Sequence, residues 1–490
     1  MNRKLQLFKY LAADYLTAFF TWVAFFVFRQ IKISLNPHES ETWNFYTTDS
    51  FYLGLFLVPF FWLFVHYLSG YYVQLFRKSR LSEFFTTFYA SVVGSLILFF
   101  IIVIDDLQTL SEPNYKYFYQ AFAALLMIQF LSTYLLRFLI TQHSTSLVHN
   151  RKWAFNTLIV GIGKNAQMVA RQLDAMRRSL GNRIVGFVSL QAPPSPPERG
   201  DVIGASSSTP LEGLGEALGN INDLENIVKQ HNIQEVIFCP DEENNDLMFR
   251  TLGQLNQYGV EIKYLPNIDK IVTGKWQMQT IYGIPLVSIS DDPMPDWQKS
   301  FKRVIDITIS FLTLLILSPF FALLAFFIKK DSKGNVFFKQ ERLGKHGNPF
   351  EIYKFRTMQS NAEEDGIPRL SSEKDERITA VGRFLRKYRI DELPQFWNVL
   401  RGDMSIVGPR PERRFFIEKI VQHAPYYYLV QRVQPGITSW GMVKYGYADT
   451  VEKMIDRLEY DIIYVENKSL SIDLKILIYT IKTILTGKGI

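Results

Sequence analysis

Four long apolar stretches follow one another in the first 140 residues, at roughly 11–31, 51–71, 84–104 and 118–140. Each approaches the roughly 20 residues that a helix needs to cross a bilayer. One such stretch could be a buried soluble helix; four in succession require membrane as solvent. No small-residue cleavage site follows the first, so a cleavable signal peptide is not expected. Loop charge orients the spans. Arg3, Lys4 and Lys9 precede the first, Arg77, Lys78 and Arg80 separate the second from the third, and Arg151 and Lys152 follow the fourth. The other two loops hold Lys32 and Lys116 among acids such as Glu39, Glu41, Asp105 and Glu112. Lys and Arg concentrate in cytoplasmic loops. Both ends of this unit, residues 1–150, are therefore expected in the cytoplasm.

The remaining residues cannot all be membrane. Mean hydropathy over the chain is only +0.01, so a water-soluble part balances the spans. A 48% hydrophobic content excludes a disordered chain. Charge divides unevenly. Residues 296–490 carry 31 Lys and Arg against 23 Asp and Glu, while residues 1–295 carry 23 against 24. The net +7 thus resides in the C-terminal part and points to phosphates, nucleotides or lipid headgroups there. A single cysteine, Cys239, excludes an internal disulfide and a cysteine-clustered zinc site.

Residues 151–290 alternate strand and helix patterns. Strands are expected at 155–160, 184–190, 233–239 and 260–265, and helices at 168–176 and 224–229, which predicts a doubly wound, Rossmann-like sheet. The first strand runs into Gly161-Ile-Gly163-Lys-Asn-Ala166, a dinucleotide-like loop. The acid expected after the second strand is replaced by Leu190-Gln191-Ala192, so no tightly bound dinucleotide is expected. Residues 192–210, rich in Pro, Ser and Gly, predict a loop, and 291–296 a linker.

A fifth apolar stretch, 304–328, has basic flanks on both sides: Lys299, Lys302 and Arg303 before it, Lys329, Lys330 and Lys333 after it. Both ends favour the cytoplasmic face. Ser318-Pro319 lies in the middle, where proline removes a helix hydrogen bond and serine can satisfy the freed carbonyl. The expectation is a re-entrant helix-break-helix, with a kinked spanning helix as the alternative.

The rest of the C-terminal region is dense in cations. Arg383, Arg386 and Lys387 share a helical face. Lys354, Arg356, Arg389 and Arg410 add groups suited to phosphate oxygens. Among them stand two adjacent carboxylates, Asp391 and Glu392, just before Pro394, which suits a helix start. A carboxylate in such a setting can attack phosphorus or hold Mg²⁺. On its own the pair would read as a solvated helix start; the surrounding cations argue otherwise.

Residues 296–490 resemble the bacterial sugar transferase family of monotopic polyprenyl-phosphate hexose-1-phosphate transferases. The resemblance rests on Lys302-Arg303-x-x-Asp306, Ser318-Pro319, Lys354-Phe-Arg356, Asp391-Glu392-Leu-Pro394-Gln395, Gly408-Pro-Arg410-Pro, Pro435-Gly436-Ile437-Thr438 and Tyr460-Asp461…Tyr464…Ser469…Asp473, in that order. The layout of four spans, Rossmann-like middle domain and α-rich catalytic domain resembles the family's large form. This implies a two-step transfer at the cytoplasmic face of a bacterial inner membrane. Asp391 attacks the sugar-bearing phosphate of a UDP-hexose, UDP-glucose first among them, and UMP leaves. Undecaprenyl phosphate then takes the sugar phosphate, opening the synthesis of an exopolysaccharide, O-antigen or capsule repeat unit. Glu392 is implied to hold Mg²⁺, with Asp391, or to assist proton removal, and Arg386 and Arg410 to contact phosphates. Pro435, Gly436 and Thr438 are candidate nucleotide or sugar contacts. Ser439-Trp440-Gly441-Met442 departs from the family's usual Gly-Trp-Ala-Gln, so the hexose is left open. Membrane lipid is an expected partner, a homodimer is allowed, and nucleic acid is not expected.

Two other readings compete: a membrane-bound nucleotide-sugar dehydratase or reductase built on the middle domain, and a non-catalytic scaffold for polysaccharide assembly. The first needs a complete dinucleotide fingerprint and a Tyr-Lys pair within one domain. Tyr464-x-x-x-Lys468 has that spacing but lies some 300 residues past the glycine loop and is read as chance. His423 is read as structural, and Glu363-Glu364-Asp365 as a solvated loop. Leu474, Leu477, Ile478, Ile481 and Leu485 form an apolar stripe, suited to a membrane interface or to the domain core.

Overall fold

The computed structural model describes residues 3–34, 49–76, 78, 80–109, 115–176, 179–189, 216–239, 245–256, 258–265, 286–288, 292–359, 375–446 and 448–485. The loop expected at 192–210 and the run Glu363-Glu364-Asp365 lie outside them. The chain forms two compact units, one of Met1–Ala154 with Pro295–Phe301, the other of Phe155–Met294 with Lys302–Ile490. The middle and C-terminal regions, separate in the sequence reading, thus share a unit.

The first unit contains helices α1 (Arg3–Ser34), α2 (Asp49–Leu68), α3 (Arg80–Thr109) and α4 (Tyr115–His149). The four apolar stretches fall on them, although the helices continue past the apolar residues. Beside a buried apolar cluster that includes Trp22, Phe25 and Trp62, their packing differs from that of a soluble bundle. Phe8, Phe20, Phe56, Phe100 and Leu135 are exposed, while a polar seam is buried: Asp14 on α1, Glu83, Thr87, Ser91 and Ser95 on α3, and Gln129, Thr133, Arg137 and Thr141 on α4. The α3 and α4 positions recur every four residues, which keeps them on one helix face. Arg137 donates to both Asp14 oxygens (2.8 and 2.7 Å) and to Thr87 (3.0 Å); Tyr72 donates to Asp14 (2.6 Å), and Thr141 to Glu83 (2.7 Å). An apolar exterior around a hydrogen-bonded interior is what hydrocarbon solvent selects, because polar groups cannot be satisfied by lipid. Five helices among the described residues are long and apolar enough to cross a membrane, these four and Asp296–Asp331.

In the second unit, β1 (Phe155–Val160), β2 (Asn182–Ser189), β3 (Glu216–Asn220), β4 (Glu235–Phe238), β5 (Glu261–Tyr264) and β6 (Val287–Ser288) form a sheet of order β3-β2-β1-β4-β5-β6. β1 to β5 are parallel and β6 is antiparallel. The four expected strands are present. β3 and β6 were not foreseen, since Glu216-Ala-Leu-Gly-Asn220 lacks apolar alternation and β6 is two residues long. Gly161 has φ +125°, and a side chain there would strike the Cys239 carbonyl at the end of β4. The backbone crossing therefore requires this glycine whether or not a nucleotide binds. Tyr428 inserts into the core of this sheet with Leu252 and Leu255, while its neighbour Tyr427 lies in the core of the C-terminal region. The adjacent tyrosines join the two cores.

Helix Asp296–Asp331 is continuous through Pro319, so the expected break is a proline held inside one helix. Pro319 cannot donate to the carbonyl of Leu315; the Ser318 hydroxyl donates to it instead, at 2.8 Å. The expected repair by serine keeps the helix intact. Near its N-terminal end the helix is tied to the C-terminal region. Lys302 donates to Asp473 (2.7 Å) and the Val407 carbonyl (3.0 Å), Arg303 to the carbonyls of Val399 (2.7 Å) and Leu400 (3.1 Å), and Asp306 accepts from Ser405 (2.7 Å). The C-terminal region also contains a hairpin, β7 (Phe337–Leu343) with β8 (Pro349–Phe355), and a parallel pair, β9 (Ser405–Val407) with β10 (Gly436–Thr438). The C-terminal helix Leu470–Leu485 divides its apolar stripe: Ile476 and Leu477 pack on the core, whereas Leu474, Ile478 and Ile481 are exposed.

Lys302 and Asp473 are both buried, and removing one partner of such a pair strands the other's charge. Asp473→Ala should lower stability by about 3–5 kcal/mol, read as a fall in Tm of the detergent-solubilised protein. A change below about 1 kcal/mol would show that Lys302 does not depend on this carboxylate.

Candidate active site

Three chain segments converge on Glu392. Strand β8 supplies Lys354. The turn after helix Ala380–Lys387 supplies Arg389, at φ +54°, along with Asp391 and Glu392 themselves. The loop after β9 supplies Arg410. Glu392 accepts from Lys354 Nζ (2.7 Å) and Arg410 Nη2 (3.2 Å) on one oxygen, and from Arg389 Nη1 (3.4 Å) on the other. Its carboxyl is buried. Burial alone would raise its pKa, but Lys354, Arg410 and Arg389 together hold it well below the usual glutamate range. A carboxylate held so low is a weak base.

Asp391 is equally buried, but among the described residues it has no hydrogen-bond or salt-bridge partner. Burial pushes its pKa up; Lys354 pulls it down and Glu392 pushes it up again, and on balance it is raised above the usual aspartate range. Two neighbouring carboxylates in one site thus diverge: one held as an anion by three cations, the other buried without a hydrogen-bond or salt-bridge partner among the described residues. This is the arrangement expected of a nucleophile beside a charge-organising partner.

The sequence explains how the turn forms. Thr379 caps helix Ala380–Lys387, accepting from the Gly382 amide at 3.0 Å. Gly382 has no side chain to strike the Thr357 carbonyl, which lies against it. After the carboxylates, Pro394 precedes helix Gln395–Arg401, as expected, and Gly402 ends it at φ +93°. Buried Asn398 locks that helix to β8 by accepting from the Tyr353 amide (3.1 Å) and donating to the Glu351 carbonyl (2.7 Å). It thereby sets Lys354 against Glu392.

The other expected phosphate-binding cations divide in role. Arg386 donates to Thr357 (2.9 Å) and lowers the Asp391 pKa. Arg383 and Lys387 are exposed. Arg356 is turned to the end of helix Asp296–Asp331, donating to the carbonyls of Ile328 (3.2 Å) and Ser332 (2.6 Å). Gly436 and Thr438 lie in β10 and Pro435 just precedes it: Gly436 donates to the Pro409 carbonyl (2.9 Å), and the Thr438 hydroxyl meets Thr480 (2.7 Å). Tyr464 and Lys468 are spent on Asp473 (2.7 Å) and Asp292 (2.9 Å), which leaves no tyrosine-lysine redox pair. Sequence reading missed Asn398 and Glu412. Glu412 follows the Arg410-Pro411 step and holds buried Arg457 (2.5 Å) and Arg342 (3.1 Å); its place at the end of a matched motif was the available signal. Met442, in the departure from the family pattern, has its sulfur 3.1 Å from Arg410.

Among the described residues no three His, Cys, Asp or Glu side chains could hold a metal ion together. Mg²⁺ often takes one or two carboxylates and completes its shell with water and substrate phosphates; of the pair, Asp391 carries the carboxylate without a cation partner, while both Glu392 oxygens accept from cations.

A family model described as bacterial sugar transferase matches residues 297–487, and one described as a CoA-binding domain matches residues 50–266. The chain is 39% identical over 230 residues to a UDP-N-acetylgalactosamine-undecaprenyl-phosphate N-acetylgalactosaminephosphotransferase of Aeromonas hydrophila, covering 47% of this chain and 53% of that one. It is 35% identical to a UDP-glucose:undecaprenyl-phosphate glucose-1-phosphate transferase of Klebsiella pneumoniae, covering 54% of this chain and 57% of that one. A protein of the same description from Caulobacter vibrioides is 42% identical over 188 residues, which cover 38% of this chain and 70% of the relative. The chain spans little more than half the length of the first two relatives.

The two carboxylates should respond differently to neutralisation. Glu392→Gln leaves three cations crowded without their anion and should destabilise by about 3–5 kcal/mol. Asp391→Asn breaks no bond and relieves a buried charge, so Tm should stay level or rise. Equal losses in thermal melts would refute Glu392 as the organising group.

Proposed function

Because the chain belongs to the bacterial sugar transferase family, we propose that it transfers a sugar 1-phosphate from a UDP-sugar to undecaprenyl phosphate. The observation that carries this reading is the partnerless, buried Asp391 carboxylate beside a cluster of phosphate-suited cations. In the first step an Asp391 oxygen bonds to the sugar-bearing phosphorus. The bond from that phosphorus to the bridging oxygen breaks, and UMP departs with the electron pair. In the second step the lipid phosphate oxygen attacks the same phosphorus and the Asp391 carboxylate leaves. Lys354, Arg389 and Arg410 are placed to offset the charge that accumulates in each step. Asp391 and Glu392 would hold Mg²⁺, which when bound neutralises diphosphate oxygens. Glu392 fits that role better than proton removal, given its depressed pKa.

The donor is a UDP-hexose, with UDP-glucose tried first; the relatives' names divide between glucose and N-acetylgalactosamine. In this reading the spans lie in a bacterial cytoplasmic membrane, with the catalytic region on the cytoplasmic side. The product would open the assembly of a surface polysaccharide repeat unit.

UMP release from a panel of UDP-sugars, with undecaprenyl phosphate and Mg²⁺, tests the reading. Wild type should turn over at least one donor, and Asp391→Asn should lose at least about 10³-fold. Silence of the wild type across the panel would sink the proposal; full activity of the variant would sink the nucleophile.

Attack requires the deprotonated Asp391, so loading should rise with pH through a midpoint above the ordinary aspartate value of about 3.9. Lys354→Met removes a cation that lowers this pKa, while Arg389 and Arg410 keep Glu392 ionised. The acid limb should therefore move to higher pH; a shift the other way would contradict the electrostatic assignment.

A further inference from the structure

Arg356 is a buried cation without an anion. It is only 9% exposed. Its Nη2 is spent on the Ile328 and Ser332 carbonyls, while Nε and Nη1 have no partner among the described residues. No carboxylate pairs with it there either. Helix-end carbonyls offer partial negative charge only, and an uncompensated guanidinium in a buried setting is costly. Arg356 lines a cleft of about 330 Å³ together with Asn335, Phe337, Phe338 and Lys339.

The cleft combines two chemistries. Arg356 and Lys339 supply cations; Lys339 makes a loose pair with Glu351 at 3.4 Å, both side chains more than half exposed, and lies 5.2 Å over the Tyr353 ring, so it exchanges partners readily. Phe337 and Phe338 supply apolar surface and are 49% and 44% exposed. The cleft adjoins the C-terminal end of the apolar helix Asp296–Asp331, where Phe326 and Phe327 are exposed as well. A cationic pocket beside exposed aromatics at the end of an apolar helix suits an amphiphile, with a phosphate head and a hydrocarbon tail.

We propose that this cleft holds the phosphate head of the lipid acceptor, with Phe337 and Phe338 against the first units of its chain. The proposal rests on the transferase reading above. Lys354 and Arg356 stand two residues apart on one extended segment, which the bond from the Arg356 amide to the Val336 carbonyl (2.9 Å) continues past β8. Lys354 reaches Glu392 while Arg356 reaches the helix-end carbonyls, from positions about 7 Å apart along the segment. The lipid phosphate would wait beside the cations that gather on Glu392, separate from the donor phosphates.

The test uses the full chain in nanodiscs and two surface variants, Lys339→Glu and Phe337→Ser/Phe338→Ser, neither of which alters the catalytic pair. Three quantities are measured: the UMP burst from UDP-sugar without acceptor, KM for undecaprenyl phosphate, and co-sedimentation with phosphatidylglycerol vesicles with and without undecaprenyl phosphate. The burst should be unchanged while the acceptor KM rises about tenfold. The extra co-sedimentation due to undecaprenyl phosphate should vanish, with binding to phosphatidylglycerol alone retained. An unchanged KM, or a burst that falls with it, would overturn the proposal. Loss of phosphatidylglycerol binding to the same degree would make the cleft a general anionic-lipid contact and also overturn the acceptor assignment. If the wild type gives no burst with any donor, the transferase reading fails, and co-sedimentation still decides whether the cleft holds a lipid phosphate.

Discussion

The Glu392 carboxylate organises the catalytic region. It is buried, and three cations from separate segments reach it: Lys354 from a hairpin strand, Arg389 from its own turn, Arg410 from the loop after β9. None would stay clustered unaided, since like charges repel. A single buried anion makes the cluster stable and leaves adjacent Asp391 in a field that is cationic overall yet gives it no direct partner. The helix cap at Thr379, the glycine at 382 and the Asn398 bridge to β8 all serve to bring that turn and that strand into register.

A second constraint is the solvent. In the four-helix unit a polar seam is buried beside an apolar cluster that includes Trp22, Phe25 and Trp62, and further apolar residues face outward, because hydrocarbon cannot satisfy a hydrogen bond. The Arg137–Asp14 pair, with Thr87 and Tyr72, and the Thr141–Glu83 bond tie that seam together. Helix Asp296–Asp331 meets the same demand at Pro319, where Ser318 supplies the missing donor, and the ties from Lys302, Arg303 and Asp306 fix its start to the C-terminal region.

Legibility followed the range of the interaction. The apolar stretches, the strand–helix alternation, the basic helix face and the helix after Pro394 depend on neighbours within a few residues and were plain in the sequence. β3 was not, because its five residues gain strand character only from pairing with β2. Asn398 looked like any polar helix residue; its importance comes from Glu351 and Tyr353, more than forty residues away. Arg356 reads as one more phosphate-binding cation; that it also bonds the end of an apolar helix through Ile328 and Ser332 is something no local pattern carries.

By itself the sequence determined which segments favour lipid, where the positive charge resides, and that Asp391 and Glu392 stand together among cations. These follow from composition and from spacing along a helix or strand. Only the tertiary structure decided which of two adjacent carboxylates is locked and which is free. Their difference lies in the reach of Lys354, Arg389 and Arg410, and Coulomb interactions at about 3 Å with Lys354 and Arg410, 38 and 18 residues away, exist only once the chain has folded.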